Sequence, residues 1–342
     1  MKIAIEAIYD PYGGLFTHTR RFKKFSKHKA QEVPSPLVRK FLCRNAWLKR
    51  NYRSILEDRG IVGFDIVHSR SDPWFIDLCS KSRSDNCKWV HTYHTLFFEE
   101  HYKEGLKPWQ VEINKSLIEV ACGADLKISV SQWGHDYLLE KYSIDTTVVV
   151  NGADLELCSR ADKDRFYRKF GYKDFVLFVG SFREVKNPLL YVELARNMKD
   201  ITFLMVGDGI DEKTLVSKYE TSIPANLKLC GRMDHMDVLD ATAACSAYVM
   251  TSKSEGLPNG LLEAMALESP VVVPHHTGCK ELVPDERYGY LYDVNSLEDL
   301  IAKTKNALSG GGTIQAARER IVEHYNWRES ANKLDTLYDS LR

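Results

Sequence analysis

No apolar run in this chain approaches the roughly 18 residues that a membrane-spanning helix needs, so no spanning segment is expected. The N-terminus, Met1-Lys2-Ile3-Ala4-Ile5-Glu6, lacks the apolar core of a signal peptide and carries an acid instead, so export is not expected. There is no C-x-x-C pair. The eight cysteines (43, 79, 87, 122, 158, 230, 245, 279) are scattered in mostly apolar surroundings, which reads as reduced core residues and a cytoplasmic address. No G-x-G-x-x-G follows the first strand, so a dinucleotide site is poorly supported. The formal net charge is zero, and no other feature points to nucleic acid as a partner.

What the chain does have is room for a core. Its 342 residues allow two domains of ordinary size, and 44% hydrophobic with 27% charged residues is a soluble globular balance. The zero net charge hides an uneven spread: residues 20–53 hold twelve Lys or Arg against one acid, Glu32, and the remainder is acidic to match. This segment is either a solvated helical face or a patch for an anionic partner, such as a lipid surface or a phosphorylated acceptor. Phe41, Leu42 and Trp47 among the charges suit an interfacial helix, which would make the protein peripheral on the inner face of the membrane.

Strands alternating with helical stretches predict parallel, doubly wound sheets. Residues 2–8 read as the first strand. Gly13-Gly14 then form a turn opening a basic helix, an arrangement that lets backbone approach a phosphate or sugar closely, although paired glycines also occur in plain turns. Residues 30–60 are basic, interrupted by Pro34 and Pro36, and then helical in period. The sheet resumes at Gly63–His68, where His68 reads as structural. Lys88–Tyr93 forms another strand. His91 and His94, three apart, would point to opposite strand faces and so do not converge on one ion. His94, at the strand's carboxyl end, is the candidate for ligand contact, because open α/β sheets bind ligands there. Ser131 reads as the cap of a helix starting near Gln132.

In the second half, a strand runs from Phe175 to Gly180 and Pro188 marks a helix start. Lys186 sits just ahead of that start, where the dipole disfavours a cation. It either swings into solvent or faces an anion held between the two positive sources. Further strands read at 203–206, 227–230, 247–250 and 270–273. Between the last two, Glu255 lies in a turn and Glu263 about a turn and a half along the helix that Pro258 opens. Free N–H groups at a helix start seat phosphate, and flanking carboxylates accept hydrogen bonds from sugar and ribose hydroxyls. A nucleotide sugar fits this pattern; two solvated acids are the plain alternative.

The block Ser254-Glu255-Gly256-Leu257-Pro258-Asn259, with Leu262-Glu263-Ala264-Met265-Ala266 and Pro270-Val271-Val272, closely resembles the E-x7-E signature of retaining glycosyltransferases of family 4 (glycosyltransferase group 1). The resemblance runs along most of the chain and is strongest from about 120 to 340. It implies the α/β GT-B fold, two doubly wound Rossmann-like domains facing a central cleft. Residues 1–155, joined by a C-terminal helix at about 325–342, would form the acceptor-side domain, and residues 156–324 the nucleotide-sugar-binding domain. By the same resemblance Glu255 lies beside the donor sugar with Gly256, Leu257, Pro258 and Asn259, and Glu263 holds the ribose. Arg183, Lys186, Gly13 and Gly14 meet the donor diphosphate, backbone at Arg232-Met233 meets the base, and His94 contacts the sugar from the opposite domain. The sequence departs from the family in three places. Glu268 replaces a small residue before Ser269-Pro270. Ser181 stands where an arginine is usual, leaving Arg183 to supply the guanidinium. Residues 30–60, where the family has further strands, leave the first domain trimmed. Asp162-Lys163-Asp164 has the D-x-D form of metal-dependent glycosyltransferases of the other major fold, but it opens a charged helix and reads as a solvated helix start.

The implied reaction moves a hexose-type sugar from a UDP- or GDP-linked donor to an acceptor hydroxyl with retention, in glycolipid, cell-surface polysaccharide or glycan synthesis. No cofactor or metal is called for. The acceptor would be a glycan, a lipid-linked molecule or an anionic small molecule. Two other functions stay open on the sequence: a non-catalytic sugar-nucleotide-binding partner subunit, and a sugar-nucleotide epimerase or hydrolase on the same fold.

Overall fold

The computed structural model describes residues 1–8, 14–33, 63–81, 83, 86–94, 96–219, 222–310 and 314–342. Gly13, the stretch from Phe41 to Trp47 and most of the basic segment 20–53 lie outside the described residues. The chain divides into two compact units, one of residues 1–99, 104–151 and 327–342, the other of residues 100–103 and 152–326.

The first unit follows the order β1 (Lys2–Glu6), α1 (Gly14–Phe25), β2 (Lys29–Val33), β3 (Ile66–Ser69), α2 (Pro73–Lys81), β4 (Lys88–Tyr93), α3 (Pro108–Lys115), β5 (Leu126–Ser129), α4 (Gln132–Tyr142) and β6 (Thr147–Val148). The strands pair in parallel in the order β2-β1-β3-β4-β5-β6. Parallel central strands are covered on both faces and need apolar residues throughout, as Ile3, Ala4 and Ile5 of β1 supply. Phe75, Ile76, Trp89, Leu117 and Leu138 belong to one core cluster of this unit, and Ile3, Ile5, Phe22, Val90 and Ile128 to another. The strand β2 falls within the stretch that the sequence left without one. Its Lys-Ala-Gln-Glu-Val sequence buries only Val33, and a strand that lies at the sheet edge among the described residues tolerates such polarity. Ser131 caps α4 as expected, its Oγ accepting from Gly134 N–H at 3.0 Å.

The second unit continues with α5 (Lys163–Phe170), β7 (Phe175–Val179), α6 (Pro188–Asn197), β8 (Thr202–Val206), α7 (Glu212–Tyr219), β9 (Leu227–Gly231), α8 (His235–Ala244), β10 (Ala247–Val249), α9 (Asn259–Ala266), β11 (Val271–Pro274), α10 (Thr277–Leu282), β12 (Tyr290–Tyr292), α11 (Leu297–Leu308) and α12 (Ile314–His324). Its parallel order is β12-β11-β10-β7-β8-β9. The chain steps outward from β7 through β8 to β9, then returns to the other side of β7 with β10. Crevices for ligands open at the carboxyl ends of strands where the order reverses in this way, here between β7 and β10.

The last helix, α13 (Trp327–Asp339), belongs to the first unit and packs on α1. Asp335 ties the two helices, accepting from Ser26 Oγ at 2.5 Å and from Lys27 N–H at 2.8 Å. Tyr338 Oη reaches His68 Nδ1 at 2.6 Å, while His68 Nε2 meets Thr92 Oγ1 at 2.7 Å, so both ring nitrogens serve as struts.

Three local expectations meet the coordinates here. Pro258 is the residue that caps α9, with extended backbone (φ −76°, ψ 116°), and not its first helical residue. Glu268 makes the turn that a glycine usually makes, at φ +61°, while Ser269 N–H returns to Ala264 C=O at 3.0 Å. Asp162 caps α5, accepting from the N–H groups of Asp164 (2.8 Å) and Arg165 (3.0 Å). Among the described residues no three His, Cys, Asp or Glu are grouped to hold a metal ion, and no helix is long and apolar enough to cross a membrane.

Candidate active site

The loops after β7 and β10 meet at the switch point of the second sheet. After β7 the chain passes Gly180, Ser181 and Arg183, makes a short 3-10 turn over Glu184–Lys186, and enters α6 through Asn187 at φ +48°. Gly207, just after β8, lets the neighbouring strand end lie close against this loop: a Cβ there would stand 1.8 Å from Gly180 O. The β10 loop is stitched to this turn by Lys253 N–H to Val185 C=O (2.7 Å) and by Thr251 Oγ1, within 3.0 Å of the carbonyls of Lys186 and Asn187. Lys253 Nζ donates to His101 C=O at 3.0 Å.

These stitches bring Lys186 Nζ to 2.5 Å from Glu255 Oε1, with the side chains only 20% and 12% exposed. Glu263, on α9, meets a residue that the sequence did not single out: His235, the first residue of α8, whose Nε2 is 2.9 Å from Glu263 Oε1. Burial, followed by the charges of Glu263 and Glu255, raises the pKa of the Tyr248 phenol, so both glutamates act on this one buried ring. Gly260 is needed beside it, because a Cβ there would come 2.6 Å from Tyr248 Oη.

Arg183 does not join the Lys186–Glu255 pair; it is exposed and its Nε donates to Ser181 Oγ at 2.8 Å. Arg232 reaches Asp208 at 3.4 Å, at the end of β9 where Gly231 takes φ +61°. Gly256, Leu257 and Pro258 are buried in the loop entering α9. Ser254 Oγ and Asn259 Oδ1 are buried there without hydrogen-bond partners.

The helix starts of this unit differ in one respect. Asp211 caps α7, accepting from Thr214 N–H at 2.8 Å, and Ser296 caps α11, accepting from Asp299 N–H at 3.1 Å. By contrast α6, α8, α9 and α10 begin with no side-chain cap. At α6, α8 and α9 the uncapped first turn leaves N–H groups and the positive dipole end open to an anion, whereas at α10 Gly278 N–H is taken by Glu255 C=O. The first unit closes its comparable seat: the Glu6 carboxylate, at the end of β1, accepts from the N–H groups of Arg70 (3.2 Å), Ser71 (3.1 Å) and Asp72 (3.2 Å) ahead of α2. Arg70 Nε lies 3.6 Å from the same carboxylate, and the guanidinium also bonds Thr19 Oγ1 on α1.

Of the first-unit candidates, Gly14 begins α1, and His94 follows β4. The His94 ring stands edge-on to His18 of α1, centroids 4.8 Å apart. His94 Nε2 and His18 Nδ1 are both buried without partners. Burial, with Arg70 adding to it, lowers the His94 pKa to about 3.

The sequence profile of the glycosyl transferases group 1 matches residues 159–328, and that of glycosyltransferase family 4 matches residues 14–157. This chain is a group 1 glycosyltransferase of the GT-B fold. The glycosyltransferase is 27% identical over 327 residues, 87% of its own chain and 81% of the relative, to the UDP-Gal:alpha-D-GlcNAc-diphosphoundecaprenol alpha-1,3-galactosyltransferase of Escherichia coli. Its fold is shared with sucrose-phosphate synthase from Thermosynechococcus elongatus (TM-score 0.76, 18% identity, 100% of this chain and 99% of that one). It is shared equally with Anabaena Alr3699/HepE in complex with UDP and glucose (TM-score 0.76, 16% identity, 99% of this chain and 100% of that one).

Proposed function

We propose that this glycosyltransferase moves a hexose from a uridine diphosphate sugar to a hydroxyl of a lipid-linked saccharide, with retention and without a metal. The observation that carries the proposal is the Lys186–Glu255 pair, 2.5 Å apart, set between the uncapped starts of α6 and α9. A cation and two open helix starts around one carboxylate suit a ligand with a diphosphate at one end and hydroxyls at the other. Lys186 would offset charge on the departing diphosphate, the largest demand of such a transfer, and Arg183, turned back on Ser181 here, would have to swing over to join it. Glu255 would orient the sugar and steady its oxocarbenium-like state, beside Gly256, Leu257, Pro258 and Asn259. Glu263, with His235, would hold the ribose, and Arg232 and Met233 would border the base. His94, Gly13 and Gly14 are assigned to donor sugar and diphosphate on the family resemblance.

The uridine and the lipid-linked acceptor are supported by the names of similar proteins: a UDP-galactose enzyme acting on a diphosphoundecaprenol-linked sugar, and a structure holding UDP and glucose. A cytoplasmic enzyme whose basic segment 20–53 rests on an anionic membrane surface is in keeping with such an acceptor. Calorimetry with UDP, GDP and their hexose derivatives tests the proposal. Tight binding of one UDP-hexose, lost in both Lys186→Ala and Glu263→Ala, is expected. Affinity undiminished in both variants would discredit the site. Release of nucleoside diphosphate without any acceptor would favour a hydrolase.

A further inference from the structure

The loop carrying Glu255 is held at both of its backbone polar groups by the segment that opens α10. Glu255 N–H donates to Thr277 Oγ1 at 3.2 Å, and Glu255 C=O accepts from Gly278 N–H at 3.1 Å. Three residues earlier, Ser252 C=O lies 2.9 Å from His276 Nε2. A carbonyl only accepts, so that nitrogen carries the proton, and neutral His276 turns a bare Nδ1 toward the Thr277 hydroxyl 2.9 Å away. The hydroxyl proton therefore goes to His276, and its lone pairs are left for Glu255 N–H. Burial lowers the His276 pKa and keeps the ring neutral, which preserves this direction.

Thr277 does this from φ +44°, a left-handed conformation that is strained for a β-branched residue. Glycine would adopt it freely. The adjacent glycine is required for a different reason, since a Cβ on Gly278 would stand 2.1 Å from Gly256 O. A strained side chain kept where an unstrained residue would serve the backbone points to a task for that side chain. The task visible here is the bond to Glu255.

We propose that Thr277, oriented by His276, is a positioning residue that fixes the Glu255 loop and so aims its carboxylate at Lys186 and the donor sugar. The proposal rests on the assignment of Glu255 to that sugar. Thr277 touches no reacting atom; it acts through Glu255.

Two substitutions separate the hydroxyl from the strain. Thr277→Ser keeps the hydroxyl and Thr277→Ala removes it, at the same backbone cost. In hydrogen exchange on the unliganded protein, Thr277→Ala should speed exchange of the Glu255 amide by about tenfold, while Thr277→Ser matches wild type. In calorimetry, Thr277→Ala should weaken the best-bound UDP-hexose by about five- to tenfold and leave UDP within about twofold, with Thr277→Ser again like wild type. Equal exchange in the two variants, or an equal loss for UDP and UDP-hexose, overturns the positioning role. If the exchange result holds while wild type binds no nucleotide at all, the donor assignment is what fails.

Discussion

His235 Nε2 and Glu263 Oε1 stand 2.9 Å apart, joining the first turn of α8 to α9 across 28 residues of sequence. A carboxylate offered to ribose hydroxyls needs a fixed orientation, and the imidazole supplies one of its anchors. His235→Ala should therefore weaken UDP by about three- to tenfold, the loss of one charge-assisted hydrogen bond. Glu263→Ala should cost more, and the double variant no more than Glu263→Ala alone, because the residues act as one unit. Calorimetry of the three variants checks this.

Lys186 and Glu255 are each other's partner and, in the proposed reaction, the partners of diphosphate and sugar. Truncating one member of a partly buried pair costs about 2 kcal/mol or more, so Lys186→Ala should weaken UDP by about thirtyfold or more. Glu255→Gln keeps the shape and removes the charge. It should lower kcat by about a hundredfold or more while UDP affinity changes little. Steady-state kinetics alongside calorimetry separates the two effects.

The first unit buries four histidines that stay neutral. Desolvation lowers His91 and His94 to about 3 and holds His18 and His68 well below 6.5. Above pH 6.5 both folded and unfolded chains carry these rings uncharged, and they exert no pH dependence. Below it the unfolded chain takes up protons that the folded chain refuses, so stability falls with pH until the folded values are reached. Each ring contributes up to about 1.4 kcal/mol per pH unit in that window. Scanning calorimetry between pH 7.5 and 5 should show a steep fall in Tm, and His18→Asn should flatten the slope whatever it does to Tm at pH 7.5.

Gly278→Ala forces a Cβ to 2.1 Å from Gly256 O. The obstacle is backbone, so the loop must move, at a cost of about 1–3 kcal/mol for overpacking. A lower Tm is expected together with loss of UDP-hexose binding. A variant with wild-type values of both would mean that the loop yields without consequence for the site.

How much of this was legible in the sequence depended on whether the determinant was local. Strand-to-helix junctions announce themselves over a few residues, and so Ser131 as a cap, Pro188 as a helix start and the Glu255–Glu263 spacing could be read directly. The resemblance to family 4 runs along most of the chain and is most specific in the block from Ser254 to Val272. Contacts made across the fold left no such mark. Nothing in the run Arg232-Met233-Asp234-His235 says that its histidine faces a glutamate on α9. Thr277 looks like an ordinary loop threonine until its φ and its partners are known. The strand β2 escapes a reading of the sequence because its pattern is that of a charged edge, with Val33 its one fully buried residue. Arg183 was expected at the diphosphate, yet here it folds back on Ser181.

Glu6 acts as a resident counter-ion: it neutralises the opening of α2 from within the chain, and that half of the protein needs nothing from outside to satisfy those amides. The other half leaves the uncapped starts of α6, α8 and α9 to water or to cargo. Loading with UDP should therefore slow amide exchange in the first turns of α6, α8 and α9 and leave the amides of Arg70, Ser71 and Asp72, which Glu6 already holds, where they were, a lopsided gain set by where the chain spent its own carboxylate.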